Sequence, residues 1–168
     1  YYSFDHGGYH FIVLDANNTA RPEDLSPEQA AAIPPERLDD VYCIDPTQLA
    51  WLADDLQSHR QMPKIVFCHQ ELVGTPKLPP PGSDEPLPTR PGKPRGDIVN
   101  AEQVCRLFRD DGNVLASLHG HKHSSGWTQR DGTYYITLGE LGSVRSRTGD
   151  GPTYSKATLS ADTLERIF

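Results

Sequence analysis

The chain has 168 residues, 36% of them hydrophobic, and a formal net charge of −7, which is enough for one domain with a real core. No stripe of Lys and Arg interrupts the acidic balance, which disfavours a polynucleotide-coating role and leaves open a small phosphorylated substrate held at a metal. No apolar run approaches a membrane span. The three cysteines, Cys43, Cys68 and Cys105, form neither a zinc ribbon nor a disulfide framework. Cys68 and Cys105 read as small buried hydrophobes. With no stretch resembling a signal peptide, this cysteine usage favours a reducing, cytoplasmic compartment.

In chain order, Tyr1–Phe4 and Tyr9–Leu14 read as strands joined by Asp5-His6-Gly7-Gly8. The second is nearly all apolar and is expected to be buried on both faces. Residues 17–44 show no period and read as an insertion, with a short helix capped by Ser26 and opened by Pro27. Asp45-Pro46-Thr47-Gln48 has the capping-box pattern. Leu49, Leu52, Ala53 and Leu56 then repeat with helical spacing, and Asp54 and Asp55 fall on the expected solvated face. Lys64–Cys68 is a short apolar strand that delivers His69. A Pro/Gly-rich loop follows over 71–97, and a loop of that length reads as a lid or a disordered segment. Asn100 opens a second helix with a capping-box pattern, Gly112 ends it, and Asn113–Leu118 form the next strand. Asp131-Gly132 joins a type I′ hairpin, and a last hairpin spans Tyr154–Leu159 and Thr163–Phe168. Alternating helices and strands imply a layered α/β sheet whose ligand site lies at the carboxyl ends of the strands.

Two stretches occupy that position. Val66-Phe67-Cys68-His69 and Ala116-Ser117-Leu118-His119-Gly120-His121-Lys122-His123 each run an apolar strand into histidine where a loop begins. A lone histidine there is as readily a core or loop residue. If the two strands are neighbours, however, His69, His121 and His123 converge, and neutral imidazoles suit Zn, Fe or Mn. His119 reads as a strand-end structural histidine or a donor behind the ligands. Glu140 reads as a solvated carboxylate that could reach the site. Lys77, Arg90, Lys93, Arg95, Arg145 and Arg147 read as surface charge, and Trp127 and Tyr134 as core packing.

These residues resemble the C-terminal half of a calcineurin-like metallophosphoesterase. Tyr1–Asp5 with Gly7–Asp15 is similar to that family's mid-domain strand pair, and Gln48–Leu52 to the helix before a metal-bearing strand. Phe67-Cys68-His69 is similar to its metal-binding histidine, and Gly120-His121-Lys122-His123 matches its G-H-x-H motif. Asn100-Ala101-Glu102 and Gly139-Glu140 resemble the branch of manganese-dependent ADP-ribose and CDP-alcohol pyrophosphatases. The resemblance implies a metallophosphoesterase-type β-sandwich flanked by helices and two divalent metal ions (Mn, Fe or Zn). His69 and His121 would bind one ion and His123 the other.

The family's D-x-H, G-D-x-x-D and G-N-H-[DE] motifs, which supply the remaining ligands, do not occur here. The chain opens in strand-like sequence without Met. The expectation is therefore a domain incomplete at its N-terminus, holding at most one weakly bound ion alone and pairing with its N-terminal half or with itself. The intact protein is expected to be a metal-dependent phosphohydrolase. The alternative is a truncated or degenerate domain that binds a metal or a partner chain without catalysis.

Overall fold

The computed structural model describes residues 1–19, 27, 42–75, 98–122, 125–139, 156–160 and 163–167. The elements are β1 (Tyr2–His6), β2 (Tyr9–Leu14), β3 (Asn18–Thr19), β4 (Tyr42–Cys43), α1 (Pro46–Ser58), β5 (Lys64–Cys68), α2 (Ala101–Asp111), β6 (Val114–His119), β7 (Gly126–Arg130), β8 (Thr133–Thr137), β9 (Lys156–Ser160) and β10 (Thr163–Ile167). One six-stranded sheet has the order β1-β2-β5-β6-β8-β7. Its centre, β2-β5-β6-β8, is parallel, and each outer strand is antiparallel to its neighbour. β3 pairs with β4, and β9 with β10, in separate two-stranded ladders. This is the expected layered α/β architecture, a sheet flanked by helices. The second large sheet of a sandwich is not among the described residues.

Local signals explain most elements. The Asp45 side chain accepts the Gln48 N–H at 2.9 Å and caps α1. Gly112 ends α2 at φ 77°, in the left-handed region that glycine enters without strain. Asp131 and Gly132 both have positive φ, as a type I′ turn requires. The expected capping boxes, however, are only half made. Gln48 is fully buried; its Oε1 accepts Asp15 N–H at 2.8 Å and its Nε2 donates to Asp15 O at 2.7 Å. Asn100 makes no side-chain cap bond. It instead grips Ile44, accepting its N–H at 3.0 Å and donating to its carbonyl at 2.7 Å.

Both helices cover the same sheet face. Leu52, Leu56, Val104 and Phe108 pack there against Ile12, Leu14, Val66, Cys68 and Tyr135. On the opposite face Tyr9, Ile65, Ala116 and Ile136 are buried, whereas Tyr2, Phe4, Phe67, Trp127 and Tyr134 are exposed. Two expectations are thereby corrected. β2 is closed on one side only, since Phe11 and Val13 are half-buried. Trp127 and Tyr134 pack on each other with ring centroids 6.1 Å apart on the open face, outside the core. The 71–97 segment also begins as core, because Leu72 and Val73 are buried in the helix-side cluster; residues 76–97 lie outside the described residues. Pro27 is helical and exposed; the rest of the short helix expected there lies outside the described residues.

A polar network closes the sheet end opposite the strand carboxyl termini. The His10 side chain is buried, with Asp5 Oδ1 2.6 Å from Nδ1 and Asp55 Oδ2 2.8 Å from Nε2. Ser3 Oγ donates to Asp55 Oδ1 at 2.9 Å, and His59 stacks on His10 at 3.8 Å. Asp55 is therefore not on the solvated face of α1; it is 9% exposed and ties the helix to β1 and β2. At the start of β5, Lys64 Nζ, fully buried, lies 3.0 Å from the Asp111 carboxylate at the end of α2.

Removing one partner of a buried charged network leaves the other uncompensated. Asp55→Ala is expected to lower the unfolding free energy by about 3–5 kcal/mol in urea titrations, and the exposed Asp54→Ala by less than about 0.5 kcal/mol. Burial pushes the Cys68 thiol from its ordinary 9.0 up to about 12, with the charge of Asp15 adding to it. Burial likewise raises Cys105 and Tyr135. The unfolded thiol loses its proton near 9.0 while the folded one keeps it to about 12. Stability is then fully present below the unfolded value and lost as pH rises toward the folded one. Thermal melts should show Tm falling steadily across that window, less steeply after Cys68→Ala than in the parent.

Candidate metal centre

β5 and β6 are adjacent and parallel, with Phe67 opposite Leu118, so their carboxyl ends lie side by side. His69 follows one end and Gly120-His121 the other. Gly120 N–H donates to His69 O at 3.0 Å. A Cβ added at Gly120 would sit 3.2 Å from His69 Nδ1, tighter than an ordinary contact. Glycine is needed here for close approach, not for turning.

The rings of His69 and His121 lie 5.4 Å apart, centroid to centroid, at 81°. Two imidazoles bound to one ion at tetrahedral angles have centroids about 5.3 Å apart, from metal–nitrogen bonds of about 2.0–2.1 Å. His69 is exposed and His121 half-buried, so both remain accessible. The spacing of the pair matches that of two imidazoles sharing one ion. His121 sits at φ 62°, unusual for a residue other than glycine, in a turn closed by Lys122 N–H on Gly120 O at 2.7 Å. His123 and Glu140, the other expected site residues, lie outside the described residues.

His119 is not beside the pair but behind it. Its ring is buried and parallel to Tyr135. Its Nδ1–H points at two carbonyls, Cys68 O at 3.1 Å and Gln70 O at 2.9 Å, the residues on either side of His69. His119 thus sets the course of the loop that carries His69, the way donors behind metal ligands act. Leu138 N–H on His119 O at 2.8 Å adds the end of β8. The turn after β2 joins through Gln70 Nε2, which donates to Asn17 Oδ1 at 2.8 Å. Glu71, also buried, accepts from the hydroxyls of Thr75 and Thr137. Gln70, Asn17 and Glu71 were not singled out from sequence, where their only sign is position in the turns after β2 and β5. Glu102 points elsewhere: Arg130 Nη2, 2.7 Å away, holds its carboxyl below the usual range.

A second cluster was not anticipated. Asp5, His10 and His59 each offer a ligand atom within 4.8 Å of the others. Among the described residues no third such group joins His69 and His121 at that range. The rings of His10 and His59 are, however, stacked at 12°, so their in-plane lone pairs run parallel instead of converging. Both His10 nitrogens already face carboxylates. This arrangement holds β1 and α1 together better than it would hold an ion.

No family model matches the chain, and no curated protein matches it in sequence. Solved structures do. A dimetal phosphatase from Danio rerio aligns at TM-score 0.53 and 20% identity, over 82% of this chain and 48% of its own. PhoD aligns at 0.46 and 16%, over 83% and 28%, and GAP50, the anchor in the inner membrane complex of Plasmodium, at 0.44 and 15%, over 84% and 37%. The chain shares the fold of the dimetal phosphatase and spans about half that protein's length. Among the described residues, no helix is long and apolar enough to cross a membrane.

Gly120→Ala should separate stability from ligation. The atom its Cβ meets belongs to an exposed ring that can give way. The unfolding free energy is expected to change by less than about 1 kcal/mol, while Co²⁺ affinity, read from visible absorbance, falls because the His69 ring has moved.

Proposed function

We propose that the intact protein is a metal-dependent phosphohydrolase acting on a small phosphorylated substrate: a phosphomonoester, phosphodiester or nucleotide pyrophosphate. The observation that carries the reading is the right-angled His69–His121 pair, 5.4 Å apart at the carboxyl ends of adjacent parallel strands. The fold shared with a dimetal phosphatase supports it. In this reading His69 and His121 bind one divalent ion and His123 a second, each Mn, Fe or Zn, with the bridging carboxylate supplied from outside these 168 residues. Such ions, when bound, acidify a water and stabilise charge on a phosphoryl group. The protein's part is positional. Gly120 lets the strand ends meet, His119 directs the His69 loop, and exposed His69 and half-buried His121 stay open to solvent.

The test is hydrolysis of bis(p-nitrophenyl) phosphate by the longer protein with Mn²⁺. Turnover is expected for the parent and its loss, by at least about a hundredfold, for His121→Ala. Undiminished turnover in that variant would sink the assignment.

A second reading, a domain that binds without catalysis, is favoured by one observation: the described residues bring only two histidines to the centre. For the 168-residue chain alone, elemental analysis should find at most one weakly held ion. The open aromatic face supports pairing with an N-terminal half or self-association, to be seen as oligomers by light scattering. Two tightly held ions in a monomer would contradict both expectations.

A further inference from the structure

Among the described residues, the His121 ring meets two others, and only one of them is a candidate ligand. Tyr42 meets its ring edge-on, with centroids 5.2 Å apart at 79°. His69 meets it at 5.4 Å and 81°. Both contacts have the separation and tilt of favourable edge-to-face pairs. Between them the imidazole is held on two sides. That matters because the backbone of His121 is in the left-handed region, at φ 62°. Such a conformation persists in a residue other than glycine only when its surroundings over-determine it.

Tyr42 is itself firmly placed, although it comes from the end of the segment read as an insertion. Its carbonyl accepts Val99 N–H at 2.9 Å, and it bridges to Ile98. Cys43 beside it is buried and pairs with Asn18, and Ile44 is fully buried. The Asn100 amide grips both backbone groups of Ile44, at 3.0 and 2.7 Å. A rigid support therefore runs from the start of α2, through Asn100 and Ile44, to Tyr42 and then to the His121 ring.

We propose that Tyr42 is a positioning residue of the metal centre, its ring fixing the His121 imidazole in the orientation that faces His69. The inference rests on the phosphohydrolase reading, because it takes His69 and His121 as ligands. The ring contact, not the hydroxyl, is what acts. Asn100 contributes by holding the strand on which Tyr42 stands, which gives this residue a role beyond the start of its helix.

The test is titration of the 168-residue chain with Co²⁺, followed by visible absorbance, with a thermal melt of each variant alongside. Tyr42→Ala is expected to weaken Co²⁺ binding about tenfold or more, the size seen when a support behind a metal ligand is removed. Tyr42→Phe keeps the ring and should bind within about twofold of the parent. Tyr42→Leu fills the space without an aromatic edge; it serves if the alanine variant does not fold, and it should lose affinity as alanine does. Parent-like binding in folded Tyr42→Ala or Tyr42→Leu would overturn the proposal. So would an equal loss in Tyr42→Phe, which would assign the effect to the hydroxyl. If the parent shows no Co²⁺ binding that His121→Ala removes, the ligand assignment itself fails and takes this inference with it. If that binding is present and only the Tyr42 variants match the parent, the ligand assignment stands and this inference alone falls.

Discussion

The His69 ring stands so close to the Gly120 backbone that a side chain at position 120 would displace it, and the centre is built around that close approach. A Cβ there would stand 3.2 Å from His69 Nδ1. The close approach lets Gly120 N–H reach His69 O, and beside that bond the His69 and His121 rings lie at nearly right angles. Each remaining support acts on one side of this junction. His119 bonds the carbonyls at 68 and 70, Gln70 reaches the turn after β2, and Tyr42 stands against His121. A parallel sheet makes such a junction natural, because consecutive strands end at the same edge with their loops above it.

Two amides show how tertiary demand overrides a local signal. Gln48 and Asn100 stand in helix-start patterns, where a capping bond contributes about 1 kcal/mol. Both are buried, and a buried amide without partners costs about 1–3 kcal/mol. Each therefore turns to an unpaired backbone segment nearby, Gln48 to Asp15 and Asn100 to Ile44. Those backbone groups lie where strands give way to loops and have no ladder partner of their own. The two helices thereby anchor the turn after β2 and the strand carrying Tyr42. Asp45, only half-buried, keeps its local role as a cap.

The two sheet faces differ in a way that composition conceals. One is covered by α1 and α2. The other carries a row of aromatic contacts, Tyr2 to Phe4, Phe4 to Phe11 and Phe11 to Phe67, with ring centroids 5.1–6.4 Å apart. Cross-strand register explains the row, since Phe4 pairs with Phe11 and Val13 with Phe67, and side chains opposite one another share a face. At the far end of the sheet, charge takes the place of apolar cover. Buried His10, bonded to Asp5 and Asp55, ties β2 to β1 and α1, and the buried Lys64–Asp111 ion pair ties β5 to α2.

The sequence by itself determined the order of the helices and of the strands outside the insertion, the Asp-Gly hairpin, the burial of Cys68 and Cys105, and the delivery of His69 and His121 at strand ends. Period, turn chemistry and apolar runs are local properties, and they survive folding because nothing stronger opposes them. Only the tertiary structure decided that the two histidine-bearing strands are neighbours, that His119 stands behind the site, that Tyr42 stands beside it, and that Asp55 is buried. It also decided that one face of β2 stays open. Those outcomes depend on which strand pairs with which and on which backbone groups lack partners after pairing, and residues 33–79 apart in the chain (Asp15 with the Gln48 that holds it, His10 with Asp55, Tyr42 with His121) carry no mark of one another until the sheet has formed.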